Sequence, residues 1–501
     1  MAKPTETRAP KSMKSFIRQL EEEYSEEIVR ISKGPLKPHE NECTSILYQL
    51  EKMGKWPMAL FENCVTYSGK PWPGMVQFQQ DSTFSKFAIA CDMPSDKWTQ
   101  ANIFQELAKR AANPMKPTVI SRAEAPVKHT VVTGKDLNLY DLPMYRKDSD
   151  DARPGQICGL AIGKHPETGR YNLSWHRHTV HGSTRSAARL QYRHLWEYLN
   201  LYKQLGYEEM PVAWVFGHHL LFMVAGATRF PYDIDEYEGI GGVMGEGLRL
   251  VPSETLGEDF LIPADAEVVV EGYLHTTDRD FNGPWTDYMR YYSPQTLEPV
   301  FRPTAFNFQD NPIFEEVWIG HELYQDVSVG ITLTSQLKNR YPRLNVAYYC
   351  APFTAILQFK PDHPGEARRL AHYALVVGGD FVKQVIVVDE DIDPFDLYDV
   401  WWAVSTRVDT DRNQMEIVHG LDANRHDPAP FSSVGHPVST VGGFIIDATK
   451  PFGQPFPPIG KPEREVLERI RAEDYIDRRK IEQLGAGKLI ISWHSKELGA
   501  K

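Results

Sequence analysis

Cysteine is scarce in this chain, with five residues among 501. They are scattered, odd in number and never spaced as Cys-x-x-Cys; their positions are Cys43, Cys64, Cys91, Cys158 and Cys350. Disulfide-dependent secreted domains pair their cysteines, and thiolate zinc sites place them close together in the sequence. The sequence therefore argues against both kinds of protein, and it indicates a reducing, cytoplasmic location.

Positive charge and long apolar runs are also lacking. The 55 Lys and Arg residues are outnumbered by 67 Asp and Glu, and the formal net charge is -12. A general nucleic-acid binder needs a basic face for the phosphates, so we expect no nucleic-acid partner. The longest apolar run, residues 211–227, contains Gly217, His218 and His219 and is shorter than the roughly 20 residues that cross a bilayer. It predicts two buried strands, and we expect no membrane association.

Common nucleotide and hydrolase signatures are missing as well. There is no Gly-x-Gly-x-x-Gly after a strand, no Walker loop and no Gly-x-Ser-x-Gly elbow. Residues 239–247 are rich in glycine, but their spacing matches none of these motifs. They predict either a simple loop or a place where the backbone closely approaches a ligand.

Hydrophobic periodicity predicts an α+β chain of several domains, since the chain is too long for one ordinary core. Phe16, Leu20, Tyr24 and Ile28 recur every four positions and predict an amphipathic helix over residues 12–31. Helical and strand-like runs alternate to about residue 125, short strand-like runs dominate to about residue 303, and the alternation returns beyond about residue 322. Further helices are predicted over 187–205, 401–407 and 461–483, and strands over 212–216, 267–274 and 384–388.

Residues 172–181 concentrate an amide, a cation and three imidazoles, and we expect chemistry there. Side chains of an extended segment alternate between two faces, so Asn172, Ser174, His176 and His178 share one polar face. Such a face can bind a metal ion, a phosphate or a carboxylate. Together with His181 and His194, its imidazoles could form a zinc or iron site, which makes a metal-dependent hydrolase one hypothesis. The alternative is a set of hydrogen-bonded histidines lining a polar cleft.

Two further sets of residues are candidates for chemistry. Asn172, His194 and Glu236 could bind a divalent ion and leave positions for phosphate oxygens, although nothing in their spacing links them. Asp287 follows the Gly-Pro pair 283–284 after a strand-like run, where a rigid scaffold can hold a catalytic acid. A turn or helix-cap aspartate is the alternative.

Together these segments resemble the UbiD family of prenylated-flavin-dependent (de)carboxylases, which includes ferulic and cinnamic acid decarboxylases. The resemblance extends over most of the chain and rests on several short motifs together. These are Asn172-x-Ser174-x-x-Arg177, Gln191-x-x-His194, Met-Pro-Val-Ala-Trp-Val-Phe-Gly at 210–217, Glu236 before the glycine-rich segment, Glu271-Gly272, Gly283-Pro284-x-x-Asp287, Val-Asp-Glu-Asp-Ile-Asp at 388–393, Trp402-Ala-x-x-Thr406-Arg407 and Ile-Asp-Ala-Thr at 446–449.

The resemblance implies a prenylated FMN cofactor with Mn²⁺ or Mg²⁺ and K⁺. Asn172, His194 and Glu236 would bind the divalent ion, which bridges to the cofactor's phosphate. Further residues expected to contact the cofactor are Ser174, Trp175, His176, Arg177 and Gln191. Because Asn172 and Arg177 are five residues apart, they lie on opposite faces of a regular strand. If both meet one cofactor, we expect a β-bulge or a strand end near Trp175.

The resemblance also implies roles in catalysis. Arg177 would meet the substrate carboxylate, for which a planar guanidinium is well suited. Asp287 would deliver the proton that replaces CO₂, so we expect it to be buried with a raised pKa. The family's loop usually begins with Glu-Gly-Pro, but here Asn282 takes the first position and leaves Arg177 without that carboxylate. We count Asn282 among the catalytic candidates, with Asp278 or Asp280 as substitutes for the missing charge.

The implied architecture has an N-terminal α/β domain (1–125), a central split β-barrel of flavin-reductase type that binds the cofactor (126–321), and a C-terminal α/β oligomerisation domain with a terminal helix (322–501). The implied function is reversible non-oxidative decarboxylation of an aromatic or α,β-unsaturated acid, or of an aromatic acyl-CoA given the unusual Asn282. We expect a prenyl-FMN synthase to supply the cofactor, and a homodimer or homohexamer. Besides the hydrolase, a non-catalytic subunit of a carboxylase complex is the remaining alternative.

Overall fold

The N-terminal part of the chain is built on a four-stranded sheet surrounded by helices. The computed structural model describes residues 9–350, 352–412, 414–430, 440–458, 460 and 462–483. In spatial order the strands are β1 (Ile28–Ile31), β2 (Met58–Phe61), β3 (Met75–Phe78) and β16 (Ile313–Glu315). The helices are α1 (Met13–Glu23), α2 (Glu42–Lys52), α3 (Phe84–Ala90) and α4 (Gln100–Ala111). Because β16 lies far along the chain, the N-terminal sheet is completed by a strand from residues 126–321.

Helix α1 is shorter than the sequence predicts. The side chain of Ser12 caps its first turn, and Phe16 and Leu20 are buried. The apolar period continues to Ile28, but that residue begins β1 and pairs with Met58 of β2. The prediction of a helix to residue 31 is therefore wrong at its end, because a partner strand distant in sequence sets the conformation there.

The central part contains a seven-stranded sheet. In spatial order its strands are β12 (Val268–Asn282), β9 (Glu209–Val215), β6 (Gln156–Lys164), β7 (Tyr171–Gly182), β8 (Arg185–Ala188), β15 (Thr296–Phe308) and β5 (Thr130–Thr133). Strand β12 also pairs with β15, so the pairing returns to the first strand. Two small sheets contain β4 (Thr118–Val119), β10 (Arg249–Pro252) and β11 (Leu261–Pro263), and β13 (Trp285–Thr286) and β14 (Tyr292–Ser293).

Three helices flank this sheet and differ from the sequence-based predictions. They are α5 (His194–Gln204), α6 (Leu220–Ala225) and α7 (Glu236–Met244). The helix predicted from residue 187 begins only at His194, because the preceding segment forms β8 between β7 and β15. The second strand predicted in the run 211–227 is α6, which the His219 side chain caps. The glycine-rich segment is helical as far as Met244 in α7, and only its last three residues, 245–247, lie in the connection that follows.

The C-terminal part is a five-stranded sheet with helices on both faces. The strands, in spatial order, are β17 (Leu344–Cys350), β18 (Thr354–Phe359), β19 (Gln384–Val388), β21 (Thr440–Ala448) and β20 (Met415–Asp422). The helices are α8 (Tyr324–Arg340), α9 (Glu366–Gly378) and α10 (Leu397–Arg407). Strand β19 and the helix through 401–407 confirm the prediction. Val385 and Val387 enter one core and Ile386 and Val388 the other, as a strand covered on both faces requires.

The helix predicted over residues 461–483 is interrupted. Among the described residues of this segment there are two short α-helices, α11 (Arg464–Arg469) and α12 (Arg478–Gln483), with a 3₁₀ turn at Ala472–Asp474 between them. In the described part of the chain, no helix is both long enough and apolar enough to cross a membrane. The described part of the chain has a mixed α+β, multidomain architecture, which is the fold class predicted from the sequence.

Candidate active site

A cavity of about 640 Å³ lies between the seven-stranded sheet and the C-terminal sheet. Its walls include β7, the turn before α5, the start of α7, the start of α8 and two C-terminal segments. These segments are the short 3₁₀ turn 379–381 and residues 422–426 at the end of β20. Cofactor and ligand sites commonly have volumes of about 300–1,000 Å³. The cavity brings together most of the predicted site residues: Asn172, Ser174, Trp175, His176, Arg177, Gln191, His194, Glu236 and Asp287.

Strand β7 reaches this cavity without the predicted bulge. Its register with β6 is unbroken from Tyr171 to Thr179, so the expected irregularity near Trp175 is absent from that pairing. Strand β8 pairs with β7 only from His178 to Gly182. The edge of β7 before His178 therefore faces the cavity, and side chains from both faces of the strand line it. This is why Asn172 and Arg177 share one site.

Asn172, His194 and Glu236 converge although they come from three elements. Buried Glu236 begins α7, and its Oε1 accepts a hydrogen bond from Asn172 Nδ2 at 2.7 Å. Nδ1 of His194, the first residue of α5, lies 3.8 Å from the same oxygen. Burial raises the pKa of Glu236, so a cation nearby would stabilise its charged form. The structure confirms that these residues meet, while their role as metal ligands stays a prediction.

Arg177 and Asp287 form a buried ion pair, with 2.7 Å between Nη2 and Oδ2. Arg177 also donates to the carbonyl oxygen of Thr286 at 3.1 Å. The Nδ1 atom of His426 lies 2.7 Å from the same Asp287 Oδ2. Burial alone would raise the pKa of Asp287, but His426 and Arg177 hold that pKa well below its usual range. The predicted burial of Asp287 is confirmed, and its predicted raised pKa is wrong because the sequence does not show these two partners.

Asn282 lies beneath the site and is not among the residues that line the cavity. It is fully buried, and its Nδ2 donates to the carbonyl oxygen of Ala187 at 2.8 Å, which ties β12 to β8. Asp278 and Asp280 do not replace the missing carboxylate, since both pair with Arg185. The substitute for that charge next to Arg177 is Asp287 itself.

The histidines of β7 have partners within the protein. His176 Nδ1 pairs with the carbonyl oxygen of Arg189 at 2.9 Å, and His178 Nδ1 pairs with Ser186 Oγ at 2.9 Å. Burial lowers the pKa of His176 to about 4 and that of His178 to about 3. His181 Nε2 donates to the carbonyl oxygen of Phe281. Within the described residues no group of three His, Cys, Asp or Glu is placed to hold a metal ion, so the histidine-cluster hydrolase is not supported.

Comparison with known proteins agrees with this geometry. Residues 118–322 match the UbiD 3-octaprenyl-4-hydroxybenzoate carboxy-lyase Rift-related domain, and residues 336–448 match the carboxy-lyase C-terminal domain of UbiD. The chain belongs to the UbiD family. A phenolic acid decarboxylase from Bacillus subtilis is 29% identical over 413 residues, which cover 79% of this chain and 84% of that protein.

Solved structures of UbiD-class enzymes share the fold. HmfF from Pelotomaculum thermopropionicum, in complex with FMN, is 26% identical with a TM-score of 0.79, over 93% of this chain and 100% of that one. Vanillic acid decarboxylase from Sedimentibacter hydroxybenzoicus, in an open form, is 25% identical with a TM-score of 0.77, over 92% and 98% of the two chains. The resemblance on which the sequence analysis relied is therefore confirmed.

The cavity of this UbiD-family chain fits an anionic flavin nucleotide. Arg189 is 4% exposed, and its Nε and Nη1 atoms have no hydrogen-bond partner among the described residues. Burial lowers the pKa of this guanidinium to about 9, which still leaves it charged at neutral pH. A buried cation with free donors is costly unless an anion accepts from it. The phosphate of FMN and a substrate carboxylate are both anions of the required kind.

Several residues of this site were not predicted from the sequence. Asp380 and the loop 422–426 come from the C-terminal part, and they reach the cavity only because that part packs against the central sheet. Asp380 pairs with both Arg193 and Arg229 at 2.7 Å. The polar run Asn-Arg-His-Asp at 424–427, directly after β20, is the one local signal that could have indicated His426.

Proposed function

We propose that the chain catalyses the reversible, non-oxidative decarboxylation of a phenolic or other aromatic acid, with prenylated FMN bound in the cavity. The observation that carries this proposal is the buried Arg177–Asp287 pair, which lines the same cavity as the unpaired donors of Arg189. The relatives named phenolic acid decarboxylase and vanillic acid decarboxylase support an aromatic acid as substrate.

When bound, prenylated FMN supplies the electron sink that loss of CO₂ from an sp² carbon needs and that no amino-acid side chain offers. We propose that Asn172, His194 and Glu236 bind Mn²⁺ or Mg²⁺ at its phosphate, with K⁺ nearby. Further residues proposed to contact the cofactor are Ser174, Trp175, His176, Gln191 and Arg189. In this proposal Arg177 and Arg189 provide positive charge for the two anions that share the cavity, the cofactor's phosphate and the substrate's carboxylate.

Arg177 is proposed to bind the substrate carboxylate, which makes it exchange part of its pairing with Asp287 for the ligand. Loss of that pairing removes one of the interactions that hold the pKa of Asp287 down, so substrate binding favours protonation of the acid. The protonated Asp287 then donates its proton to the carbon that loses CO₂. Carboxylation would run the same steps in reverse.

The finer structural features belong to the proposal too. We propose that the closed pairing order of the central sheet is the split β-barrel, that the domains are 1–125, 126–321 and 322–501, and that the enzyme is a cytoplasmic homodimer or homohexamer. A prenyl-FMN synthase would supply the cofactor. We propose a small free aromatic acid as substrate, because a cavity of about 640 Å³ has to hold the flavin as well.

The proposal is tested with protein produced anaerobically together with a prenyl-FMN synthase. We expect prenylated FMN in the absorbance and mass spectra, about one divalent metal ion per chain, and CO₂ release from members of a panel of phenolic acids. Aromatic acyl-CoA thioesters belong in the same panel. Protein that binds no flavin, or flavin-loaded protein that releases no CO₂ from any acid, would contradict the proposal.

A further inference from the structure

The ring of His426 meets Asp287 across the boundary between two parts of the molecule. His426 follows β20 of the C-terminal sheet, whereas Asp287 follows β13 of the central part. The contact between His426 Nδ1 and Asp287 Oδ2 is 2.7 Å long, and the two side chains are 7% and 8% exposed. Ser293 Oγ is a second neighbour of Nδ1, at 3.1 Å. The ring is therefore fixed by its surroundings.

The hydrogen positions on this ring follow from its partners. An ionised carboxylate only accepts hydrogen bonds, so His426 Nδ1 carries the hydrogen that it donates to Asp287. In a neutral imidazole the other nitrogen, Nε2, then has the free lone pair, and the amide of Gln191 donates to it. Gln191 lines the cavity and has an amide oxygen as well as an amide nitrogen, so by turning it can serve either tautomer.

The charged groups around the pair favour an ionised Asp287. Arg177 contacts its carboxylate, and Arg189 adds a second positive charge. Arg425, next to His426 in the sequence, is paired with Glu298 at 2.8 Å, and the ring of Tyr288 lies 6.2 Å from that of His426. Burial lowers the pKa of His426 to about 4, so the ring is neutral at neutral pH. The acid of the proposed reaction thus needs a route by which a proton returns to it.

We propose that His426 is a positioning residue that holds Asp287 and returns a proton to it in each turnover. This inference rests on the proposed function. In the decarboxylation, the bond to the carboxylate carbon breaks, CO₂ leaves, and the electron pair of that bond forms a C–H bond with the proton of Asp287. Asp287 recovers a proton from Nδ1 of His426 as Nε2 takes one from solvent, which leaves the ring as the Nε2–H tautomer. Before the next turnover the ring loses the Nε2 proton to solvent and regains one at Nδ1, where Ser293 Oγ is its second neighbour. One solvent proton is consumed for each CO₂ released.

The test uses the flavin-loaded enzyme and its most active aromatic acid. His426→Ala is expected to lower kcat roughly 100-fold, which is the usual contribution of a proton-transfer group, and to leave KM within about twofold. Added imidazole is expected to restore kcat in proportion to its concentration, with a pH profile that follows the pKa of imidazole. His419→Ala, which removes an exposed imidazole from β20, the strand that precedes His426, is the matched control and should behave like the wild type.

The tautomer of His426 can be measured without catalysis, by NMR of the purified protein labelled with ¹⁵N-histidine. The His426 signals, identified by their loss in His426→Ala, should show the Nδ1–H tautomer at neutral pH and should shift in Asp287→Asn. An Nε2–H tautomer, or no response to Asp287→Asn, would overturn the inference. So would a His426→Ala enzyme with normal kcat, or one whose lost kcat imidazole does not restore. A wild type that releases no CO₂ from any acid would instead defeat the proposed function, and this inference with it.

Discussion

Arg189 is a buried cation in the cavity wall with hydrogen-bond donors that a bound anion could satisfy. Its Nε and Nη1 atoms have no partner among the described residues, so replacing it breaks no hydrogen bond made by those atoms within the protein. We expect Arg189→Met to weaken retention of the flavin about tenfold or more, since a charge-assisted hydrogen bond contributes about 1.5–3 kcal/mol. The same change should leave the free energy of unfolding of the flavin-free protein unchanged or raise it, because a buried unpaired charge is removed.

Flavin fluorescence during dialysis measures the retention, and urea unfolding measures the stability. Arg302→Met is the matched control: this arginine is 42% exposed and is paired with Glu209 and Asp278 outside the cavity. Its flavin retention should equal that of the wild type. Equal retention in Arg189→Met and the wild type would contradict a role for this guanidinium in binding the cofactor.

His178 should contribute to the loss of stability in acid. Its ring packs against Trp214 and Phe301, with centroids 4.4 and 5.3 Å away, and burial lowers its pKa to about 3. Because the folded pKa lies below the unfolded value of about 6.5, stability is complete above that value and falls by about 1.4 kcal/mol for each pH unit below it. His178→Phe should therefore give a shallower decline between pH 6 and 4, in urea unfolding followed against pH. A decline as steep as that of the wild type would contradict the neutral, buried ring.

Helix α7 depends on its glycines for close contact with other parts of the protein. A Cβ at Gly242 would lie 2.5 Å from the carbonyl oxygen of Asn113 and 2.8 Å from that of Arg110. Alanine favours a helix over glycine by about 1 kcal/mol, but backbone oxygens this close cannot move away cheaply. We expect Gly242→Ala to lower the free energy of unfolding by about 1–3 kcal/mol. Gly442→Ala in β21, where the nearest atom would be 3.6 Å away, should change it far less, and similar values for the two would refute this packing.

Helices and strands could be predicted from the sequence where a local pattern of polar and apolar residues specifies them. The alternation of polar side chains along β7 and the apolar run of β19 both identify strands correctly. Ala187 and Ala188 were predicted to begin a helix, and alanine favours helices, yet they pair with neighbouring strands and belong to β8. In the same way, the apolar period of α1 continues to Ile28, yet Ile28 is extended because it pairs with Met58 of β2. Pairing between distant segments therefore overrides local preference at the ends of elements.

The complete site depends on the packing of the whole molecule. Residues of β7, α5 and α7 belong to recognisable motifs, and their convergence could be inferred from the resemblance. His426 and Asp380 lie in loops of the C-terminal part, about 140 and 90 residues beyond Asp287. No local pattern encodes where such loops lie in space. The low pKa of Asp287 was missed for this reason, since one of its two close partners, His426, comes from that distant loop.

Asp380 links the central and C-terminal parts in the wall of the cavity. Its two oxygens pair with Arg193 and Arg229 at 2.7 Å, and the ring of Phe381 lies under both guanidinium groups, 4.2 and 4.6 Å from them. Asn424 Nδ2 donates to the same carboxylate at 2.9 Å, which ties the loop of His426 to this ion-pair network. Burial alone would raise the pKa of Asp380, but Arg193 and Arg229 lower it to about 2. The contribution of the pairs to stability is therefore complete above about pH 4 and is lost only as the pH falls towards 2.

Asp380→Asn should loosen this link at neutral pH, because it leaves two arginines with a neutral partner. We expect faster hydrogen–deuterium exchange at residues 379–381 and 422–426, with exchange in the β19 core unchanged, and weaker retention of the flavin. Asp362→Asn is the matched control, since this aspartate is 72% exposed and lies 3.5 Å from Arg343. If residues 379–381 and 422–426 exchange at the wild-type rate in Asp380→Asn, other contacts hold the central and C-terminal parts together. Greater mobility of residues 422–426 would also separate His426 from Asp287. The decarboxylase activity of Asp380→Asn should therefore fall as the hydrogen–deuterium exchange rate of this segment rises.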